Sequence, residues 1–191
     1  MLKKINITPK EQILIISLLL AAVTLAIYWQ VRHFDFVFDD VAYVTENNHL
    51  RSGITSEGIR WAFSTTKAEF WHPFTWLSLM LDYQLYGLHP GAYHMTNLIL
   101  HILTTLLLFR LFHRMTGALW KSTFVAAFFA LHPLHVESVA WIAERKDVLS
   151  AFFWMLTLYL YAYYAENPSV KKYLLVLLAF VCALMSKPMV V

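Results

Sequence analysis

Apolar residues in this chain are concentrated in five runs that are separated by more polar segments. The first run, from Ile13 to Val31, would rise roughly 28 Å as an α-helix, which is enough to cross the hydrocarbon core of a bilayer. Tyr28 and Trp29 close this run, as aromatic residues often do at a membrane surface. The pattern predicts membrane-spanning helices at residues 13–31, 93–112, 119–131, 148–164 and 173–185.

Two shorter helices are predicted in the polar segment that follows the first run, residues 32–92. Thr55 to Thr66 has apolar residues on one side, which is typical of an amphipathic helix. Pro73 to Tyr86 begins with proline in its first turn and is followed by Gly87, which suits a helix end. This second helix is too short to span a bilayer and too apolar to be fully solvated. We expect it to lie flat on the membrane or to pack beneath the loop.

The second predicted span has a polar face. His94, Asn97, His101 and Thr105 recur at helical spacing and so share one side of the helix. Polar side chains in a span usually face the protein interior. This face therefore lines a cavity or, more simply, makes hydrogen bonds to neighbouring helices.

The composition also indicates a membrane protein. Of the 191 residues, 59% are hydrophobic and 14% are charged, whereas a soluble domain is typically about a quarter charged. Aromatic residues are not interleaved with a basic cluster, so we expect no nucleic-acid partner. The single cysteine, Cys182, lies in an apolar run and gives no disulfide framework. We predict one all-α module over residues 1–191, a polytopic membrane helical bundle with a long outer loop that carries short interfacial helices.

The charge distribution predicts the orientation. With the N-terminus in the cytoplasm, the outer segments 32–92 and 132–147 hold ten of the twelve acidic residues, all except Glu11 and Glu166. The short inner segments then hold clusters of basic residues, as the positive-inside rule requires. These are Lys3, Lys4 and Lys10, then Arg110, Arg114 and Lys121, then Lys171 and Lys172. We expect an integral membrane protein, of a bacterial inner membrane if the family resemblance given below holds, whose outer loops face the periplasm or a topologically equivalent lumen.

An acidic pair, Asp39 and Asp40, follows the first span among aromatic and β-branched residues. Two adjacent carboxylates at the membrane border repel each other and lose hydration, so at least one should have a raised pKa or a cationic partner. A general base or a cation site requires these properties. The alternative is a charged flank that merely ends the span.

The outer segment between the third and fourth spans is also rich in ionisable residues: His132, His135, Glu137, Glu144, Arg145, Lys146 and Asp147. Arg145 and Lys146 suit phosphate or pyrophosphate binding, and we predict that Arg145 contacts a phosphate. The alternative is that Glu144, Arg145 and Asp147 pair with one another at the start of the fourth span, with Asp147 as its N-cap.

Metal binding by this segment is the less favoured interpretation. His132, His135 and Glu137 are ligand types, but Pro133 interrupts helical presentation and the spacing of zinc proteases is absent. We therefore assign no metal ligands and leave a divalent cation as an open alternative. Trp71 and His72 form another candidate group, because indole faces stack on sugar rings. Anchoring at the membrane interface is the competing explanation for these two residues.

Three segments together carry a family resemblance: residues 38–44, 71–76 and 131–147, of which the last is the most specific. The chain resembles the GT-C superfamily of membrane glycosyltransferases. More closely, it is similar to bacterial relatives of the transmembrane and tetratricopeptide-repeat O-mannosyltransferases and, distantly, to protein O-mannosyltransferases. Members have about twice as many spans followed by helical repeats, and no 34-residue repeat occurs here. We therefore expect an N-terminal part of such a protein.

The resemblance implies an enzyme that transfers a mannose-like sugar from a polyprenyl-phosphate donor to a hydroxyl of a protein or peptide. It implies that Asp39 and Asp40 are catalytic. It also extends to Glu137, Arg145 and Asp147 of segment 132–147. From their own chemistry, Trp71, His72, His132, His135, Glu144 and Lys146 are further predicted substrate-binding residues. The resemblance adds no certain cofactor.

Two alternatives from other classes are a transporter or channel fragment and a non-catalytic membrane assembly subunit. A transport pathway predicts acidic residues in the middle of the spans, whereas here they lie at the borders. In an assembly subunit the outer loops would bind a partner protein instead of a substrate.

Overall fold

The computed structural model describes residues 8–67 and 70–190, and every regular element in these two stretches is helical. The predicted all-α membrane helical fold is confirmed. The α-helices are α1 (Pro9–Tyr28), α2 (Asn48–Arg51), α3 (Ser56–Ser64), α4 (Pro73–Tyr86), α5 (Pro90–Thr116), α6 (Leu119–Leu131), α7 (His135–Ala140), α8 (Arg145–Glu166) and α9 (Val170–Ser186). Short 3-10 turns at Trp29–His33, Ile142–Glu144 and Pro188–Val190 and a π-turn at Val41–Thr45 complete the described elements.

Three helical stretches are long and apolar enough to cross a membrane: Pro9–His33, Pro90–Thr116 and Ile142–Glu166. Helix α6 is apolar but has only 13 residues, or about 20 Å, which is less than the hydrocarbon thickness of about 30 Å. Helix α9 has 17 residues, or about 25 Å. All five predicted apolar runs are helical. How many of them cross the membrane stays a prediction.

Helix α5 lies at the centre of the bundle, where it packs against α1, α6 and α8. Its predicted polar face is buried, so the inward orientation is confirmed. Asn97 donates from Nδ2 to the carbonyl oxygens of Trp141 (3.0 Å) and Val139 (3.4 Å). A ring nitrogen of His101 lies 3.0 Å from the carbonyl oxygen of Ala130. These contacts are hydrogen bonds between elements, the simpler of the two explanations for the face.

Helix α4 has the predicted bounds and packs beneath the outer loop, which was one of its two predicted placements. Its position relative to the membrane surface stays a prediction. Trp76, Leu79 and Met80 are fully buried against α2 and α3, and α4 also contacts α9. The hydroxyl of Thr75 donates to the carbonyl oxygen of Ser186 over 2.9 Å. The end of α9 is therefore fixed to the start of α4.

The predicted N-cap role of Asp147 is wrong. Helix α8 begins two residues earlier, at Arg145, and no side chain caps it by a hydrogen bond. Asp147 lies in its first turn and instead forms an ion pair with Lys187. The predicted pairing among Glu144, Arg145 and Asp147 is also absent from the described residues, because each of the three contacts a different partner.

The predicted orientation can be tested by cysteine labelling. In a Cys182→Ala background, which removes the buried native thiol, we expect Ser52→Cys in the outer loop to react with an impermeant maleimide added from outside intact cells. A cysteine at Lys171, near the N-terminal end of α9 and on the predicted cytoplasmic side, should react only after that side is exposed. The reverse pattern of labelling would show that the orientation is inverted.

Candidate active site

The acidic pair lies in a tight turn that places its two carboxylates in different environments. Phe38, immediately before the pair, has φ of +48°, an uncommon conformation for a non-glycine residue that often marks a functional site. Asp39 is exposed, whereas Asp40 is fully buried. The backbone N–H of Ala143 donates to Asp40 Oδ1 over 2.7 Å, and that of Val37 donates to Oδ2 over 3.1 Å. Asp40 therefore joins the outer loop to the turn that precedes α8.

Burial raises the pKa of Asp40 above its ordinary value, and the neighbouring charge of Asp39 raises it further. The backbone N–H donors act in the opposite direction because they stabilise the charged form. The expectation that one member of the pair has a raised pKa is confirmed for Asp40. Asp39 takes part in none of the ion pairs among the described residues, so its exposed carboxylate is accessible to a substrate.

Arg145 is fully buried, and each of its three guanidinium nitrogens donates to a protein group. It forms an ion pair with Asp82 (Nη2 to Oδ2, 2.6 Å) and donates to Ser78 Oγ over 2.7 Å. It also donates to the carbonyl oxygen of Tyr93 over 2.9 Å and to the side-chain oxygen of Asn97. This network joins α4 and α5 to the first residue of α8, two positions after Ala143.

The environment of Arg145 favours a positioning role over the predicted phosphate contact. Its side chain has no exposed surface and that of Asp82 has 5%, and removing one partner of such a pair leaves an uncompensated buried charge. A phosphate would have to replace several of these hydrogen bonds at once. The sequence pattern indicated Arg145 as a candidate site residue. It did not indicate the partners of Arg145, because they lie 48 to 67 positions away along the chain.

Lys146 and Glu144 flank Arg145 at the start of α8. They form an ion pair of 2.8 Å, and the Lys146 ammonium lies 5.6 Å from the ring centre of Tyr43. Burial, with the nearby charges of Glu144 and Asp39, raises the pKa of Tyr43 to about 12. The predicted residues Asp39, Glu144 and Lys146 are thus brought together around one tyrosine.

His72 is fully buried, and its ring stacks on those of Tyr43 and Trp76, which also contact each other. Neither of its ring nitrogens has a hydrogen-bond partner among the described residues. Burial, followed by the positive charge of Lys146, lowers the pKa of His72 from 6.5 to about 4. The imidazole is therefore neutral at neutral pH.

His72 predicts an acid-dependent loss of stability. The unfolded chain takes up a proton below pH 6.5, whereas the folded chain does so only near pH 4. Above about pH 6.5 this proton uptake does not affect the free energy of unfolding. As pH decreases from there to about 4, it lowers the free energy of unfolding by about 3 kcal/mol. His72→Phe should weaken this dependence, measured by thermal unfolding across that range. His49→Phe, at an exposed histidine stacked on Trp61, is the control, and equal slopes for the two variants would contradict the assignment.

A cavity of about 440 Å³ lies between α5, α6, α7, α8 and the segment after α9. His135 and Asp147 line it, together with Ser138, Trp154 and Lys187. The volume falls within the range of about 300–1,000 Å³ that is typical of small-molecule sites. His132 lies beside the cavity, with its ring centre 6.2 Å from that of His135.

Two predicted site residues do not join these groups. Trp71 is exposed and donates from its indole nitrogen to the carbonyl oxygen of Phe63 over 2.9 Å. Glu137 is exposed at the start of α7. Within residues 8–67 and 70–190, no three His, Cys, Asp or Glu side chains are arranged to hold a metal ion.

Sequence reasoning missed Asp82, Ser78 and Lys187. Asp82 is the single charged residue of α4, and a charge on an otherwise apolar short helix could have signalled a buried partner. Lys187 follows the last apolar run, where a basic residue is usually taken as a membrane flank. No local pattern indicated that it would meet Asp147, which lies 40 positions earlier.

Comparison with known proteins supports the sequence resemblance. Residues 73–191 match the family model described as dolichyl-phosphate-mannose-protein mannosyltransferase. The chain is 30% identical over 164 residues to human Protein O-mannosyl-transferase TMTC3, covering 78% of this chain and 16% of that protein. It is 33% identical over 150 residues to mouse Protein O-mannosyl-transferase TMTC1, covering 72% of this chain and 16% of that protein.

The chain therefore spans about a sixth of the length of these relatives. No solved structure matches it. The apolar helices and the family together indicate an integral membrane protein. The chain belongs to the dolichyl-phosphate-mannose-protein mannosyltransferase family.

Proposed function

We propose that this chain is the N-terminal part of a GT-C-type glycosyltransferase. The complete protein transfers a mannose-like sugar from a polyprenyl-phosphate donor to a hydroxyl of a protein or peptide. The reaction takes place at the outer face of the membrane, which is the periplasmic face of a bacterial inner membrane. The family match and the similarity to proteins named O-mannosyl-transferases support the reaction class.

The observation that carries the proposal is that the two carboxylates of the acidic pair lie in different environments, which suits them to different roles. Asp40 is buried and holds two backbone segments together, while Asp39 is exposed beside it. A buried carboxylate with two N–H donors suits positioning, and an exposed neighbour without an ion pair suits proton transfer to a substrate. Phe38, directly before the pair, has a positive φ that is uncommon for a non-glycine residue.

In the proposed reaction, the acceptor hydroxyl oxygen attacks the anomeric carbon of the sugar. Asp39 accepts the hydroxyl proton as general base. The bond between the anomeric carbon and the phosphate oxygen breaks, and the polyprenyl phosphate leaves as an anion. Attack opposite to the leaving group inverts the anomeric configuration. Positive side chains near the phosphate stabilise its developing charge.

Arg145 contributes indirectly to this chemistry. Its network with Asp82 and Asn97 fixes the turn whose Ala143 N–H holds Asp40. Asn97 fixes the same turn through the carbonyl oxygen of Trp141. We therefore assign Arg145 as a positioning residue for the acidic pair. The predicted substrate-binding roles of His135 and Asp147 are retained because both residues line the cavity.

The donor class can be tested with the full-length protein in proteoliposomes. We expect a hydroxyl-containing peptide to acquire sugar from polyprenyl-phosphate mannose and not from a nucleotide-linked mannose of equal concentration. The control is the full-length protein with Asp39→Asn. Transfer from the nucleotide donor alone, in both preparations, would contradict the proposed donor class.

A further inference from the structure

The end of α8 and the start of α9 carry a cluster of tyrosines and cations, far from the acidic pair. Helix α8 has 22 residues, which corresponds to about 33 Å. Its first residue, Arg145, supports the turn that holds Asp40, whereas Tyr163 lies in its last turn. The predicted orientation places this end of the bundle in the cytoplasm. Whatever binds here is therefore remote from the site of sugar transfer.

Two cations converge on the ring of Tyr163. The Lys172 ammonium lies 4.1 Å from the ring centre, and the Arg114 guanidinium carbon lies 5.0 Å from it. Tyr163 itself is 44% exposed. Attraction between a cation and an aromatic face holds a charge in place without neutralising it. The two positive charges are therefore held close together at the protein surface.

A single carboxylate lies among these cations. Glu166 forms an ion pair with Arg114. Lys172 forms no ion pair within residues 8–67 and 70–190, and its ammonium donates to the carbonyl oxygen of Asn167 over 2.8 Å. An ammonium group has three donors, so donors of Lys172 remain for a ligand. With the neighbouring exposed Lys171, three cations face one acid, and this surface attracts an anion.

A surface cavity of about 450 Å³ lies beside the two lysines, in the connection between α8 and α9. Ser169 lines it together with the rings of Tyr164 and Tyr173, whose centres are 6.0 Å apart. Serine and tyrosine hydroxyl groups donate hydrogen bonds to phosphate oxygens. The cavity therefore has the size and the chemistry for a polar headgroup next to fixed positive charges.

An exposed apolar stripe continues from this cavity along α9. Leu174, Leu178 and Val181 are 56%, 60% and 40% exposed, and their spacing of four and three residues places them on one face of the helix. In a bilayer such a face lies against acyl chains. The surface thus combines a cationic, hydroxyl-rich end with an apolar stripe, which is complementary to an amphiphile that has an anionic headgroup.

We propose that this surface binds an anionic phospholipid of the bilayer. Its phosphate contacts Lys172 with Lys171, its headgroup occupies the cavity between Tyr164 and Tyr173, and an acyl chain lies along α9. Basic residues and tyrosines at the cytoplasmic ends of spans are suited to such headgroups. The ligand is a constituent of the membrane that is not consumed, so the inference goes beyond sugar transfer and is independent of the proposed function.

Binding can be measured by native mass spectrometry of the full-length protein in detergent micelles titrated with dioleoylphosphatidylglycerol. We expect Lys172→Gln to raise the dissociation constant of the first bound lipid by about ten- to a hundredfold, the effect of losing one charge-assisted contact. Lys172→Arg keeps the charge and should bind nearly as well as the wild type. Wild-type affinity in Lys172→Gln, or equal losses in the two variants, would overturn the proposal.

A second cation on the same predicted side distinguishes a site from general attraction to a basic surface. Lys121 is exposed near the start of α6, and Lys121→Gln should bind the lipid as the wild type does. Equal losses in Lys121→Gln and Lys172→Gln would show that the lipid is attracted by overall charge, and would overturn the site.

The contribution of the tyrosine ring can be measured separately. Tyr163→Leu removes the aromatic face that holds the two cations and should weaken binding by about two- to fivefold. Tyr163→Phe keeps that face and should bind as the wild type does. Unchanged binding in Tyr163→Leu would contradict the role of the converging cations.

Two further ligands identify the group that is recognised. Dioleoylphosphatidylcholine has the same acyl chains without net charge and should bind about tenfold more weakly. Glycerol 3-phosphate has the phosphate without the chains and should also bind more weakly. Equal affinity for either ligand would overturn the assignment to an anionic phospholipid.

The folded state of each variant is checked by thermal unfolding in lipid-free micelles. Lys172 contacts only surface groups, so Lys172→Gln should unfold at the wild-type temperature. If that variant were unfolded, Lys171→Gln, at a fully exposed position, would replace it, and wild-type lipid binding by folded Lys171→Gln would overturn the proposal.

Discussion

Asp39→Asn in the full-length protein should lower the single-turnover rate of sugar transfer by about 10²- to 10⁴-fold, the usual effect of removing a general base. The substitution is nearly isosteric, and the side chain is exposed, so folding and donor binding should be unchanged. The rate is measured at saturating donor, with donor binding followed separately. Transfer at the wild-type rate would contradict the catalytic assignment of Asp39.

Two matched variants show whether this effect is specific. Glu46→Gln, at another exposed acid of the same loop, should leave the rate within a few-fold of wild type. Asp40→Asn should act on stability, because an amide offers only one oxygen to the two N–H donors of Val37 and Ala143. The unsatisfied donor should cost about 1–3 kcal/mol of unfolding free energy. Equal losses of rate in Asp39→Asn and Glu46→Gln would indicate a general charge effect.

Asp82→Ala should destabilise the folded protein by about 3–5 kcal/mol, because it leaves the buried Arg145 guanidinium without its carboxylate. The measurement is reversible unfolding in detergent micelles, or thermal inactivation where unfolding is irreversible. The control is Glu166→Ala, which removes the partner of Arg114 in a pair with 26% and 48% of its side chains exposed. That change should cost no more than about 1 kcal/mol.

A double variant separates the effect of charge from that of packing. Replacing Asp82 by Leu and Arg145 by Met removes both charges, and such replacements of buried pairs are often neutral. We therefore expect the double variant to recover most of the stability lost in Asp82→Ala. It should still transfer sugar more slowly than wild type, because the turn that holds Asp40 has lost the hydrogen bonds that Arg145 makes. Full activity in a stable double variant would contradict the positioning role.

The helices could be predicted from the sequence because their signals are local. Pro73 and Gly87 mark the two ends of α4, and both were placed correctly. The polar face of α5 follows from helical spacing alone, and its burial was correctly predicted from the high cost of polar groups in lipid. Helix α8 starts earlier than predicted, at Arg145, which resembled a surface cation but forms a buried ion pair with Asp82.

The pairing of charges could not be predicted, because it depends on how distant segments pack. Arg145 meets Asp82 across 63 positions and Lys187 meets Asp147 across 40. In the sequence each of these residues has nearer charges of opposite sign, so proximity along the chain predicts other pairs. The acidic pair was found because its two carboxylates are adjacent. The division between a buried Asp40 and an exposed Asp39 required the tertiary contact with Ala143.

The most direct test of the central claim is mass spectrometry of an acceptor peptide after incubation with the full-length protein and polyprenyl-phosphate mannose. We predict that the peptide gains one hexose on a serine or threonine hydroxyl. We also predict that the anomeric configuration of this hexose is opposite to that of the donor. A peptide that stays unmodified with the folded wild-type protein, under conditions in which the donor is bound, would contradict the account.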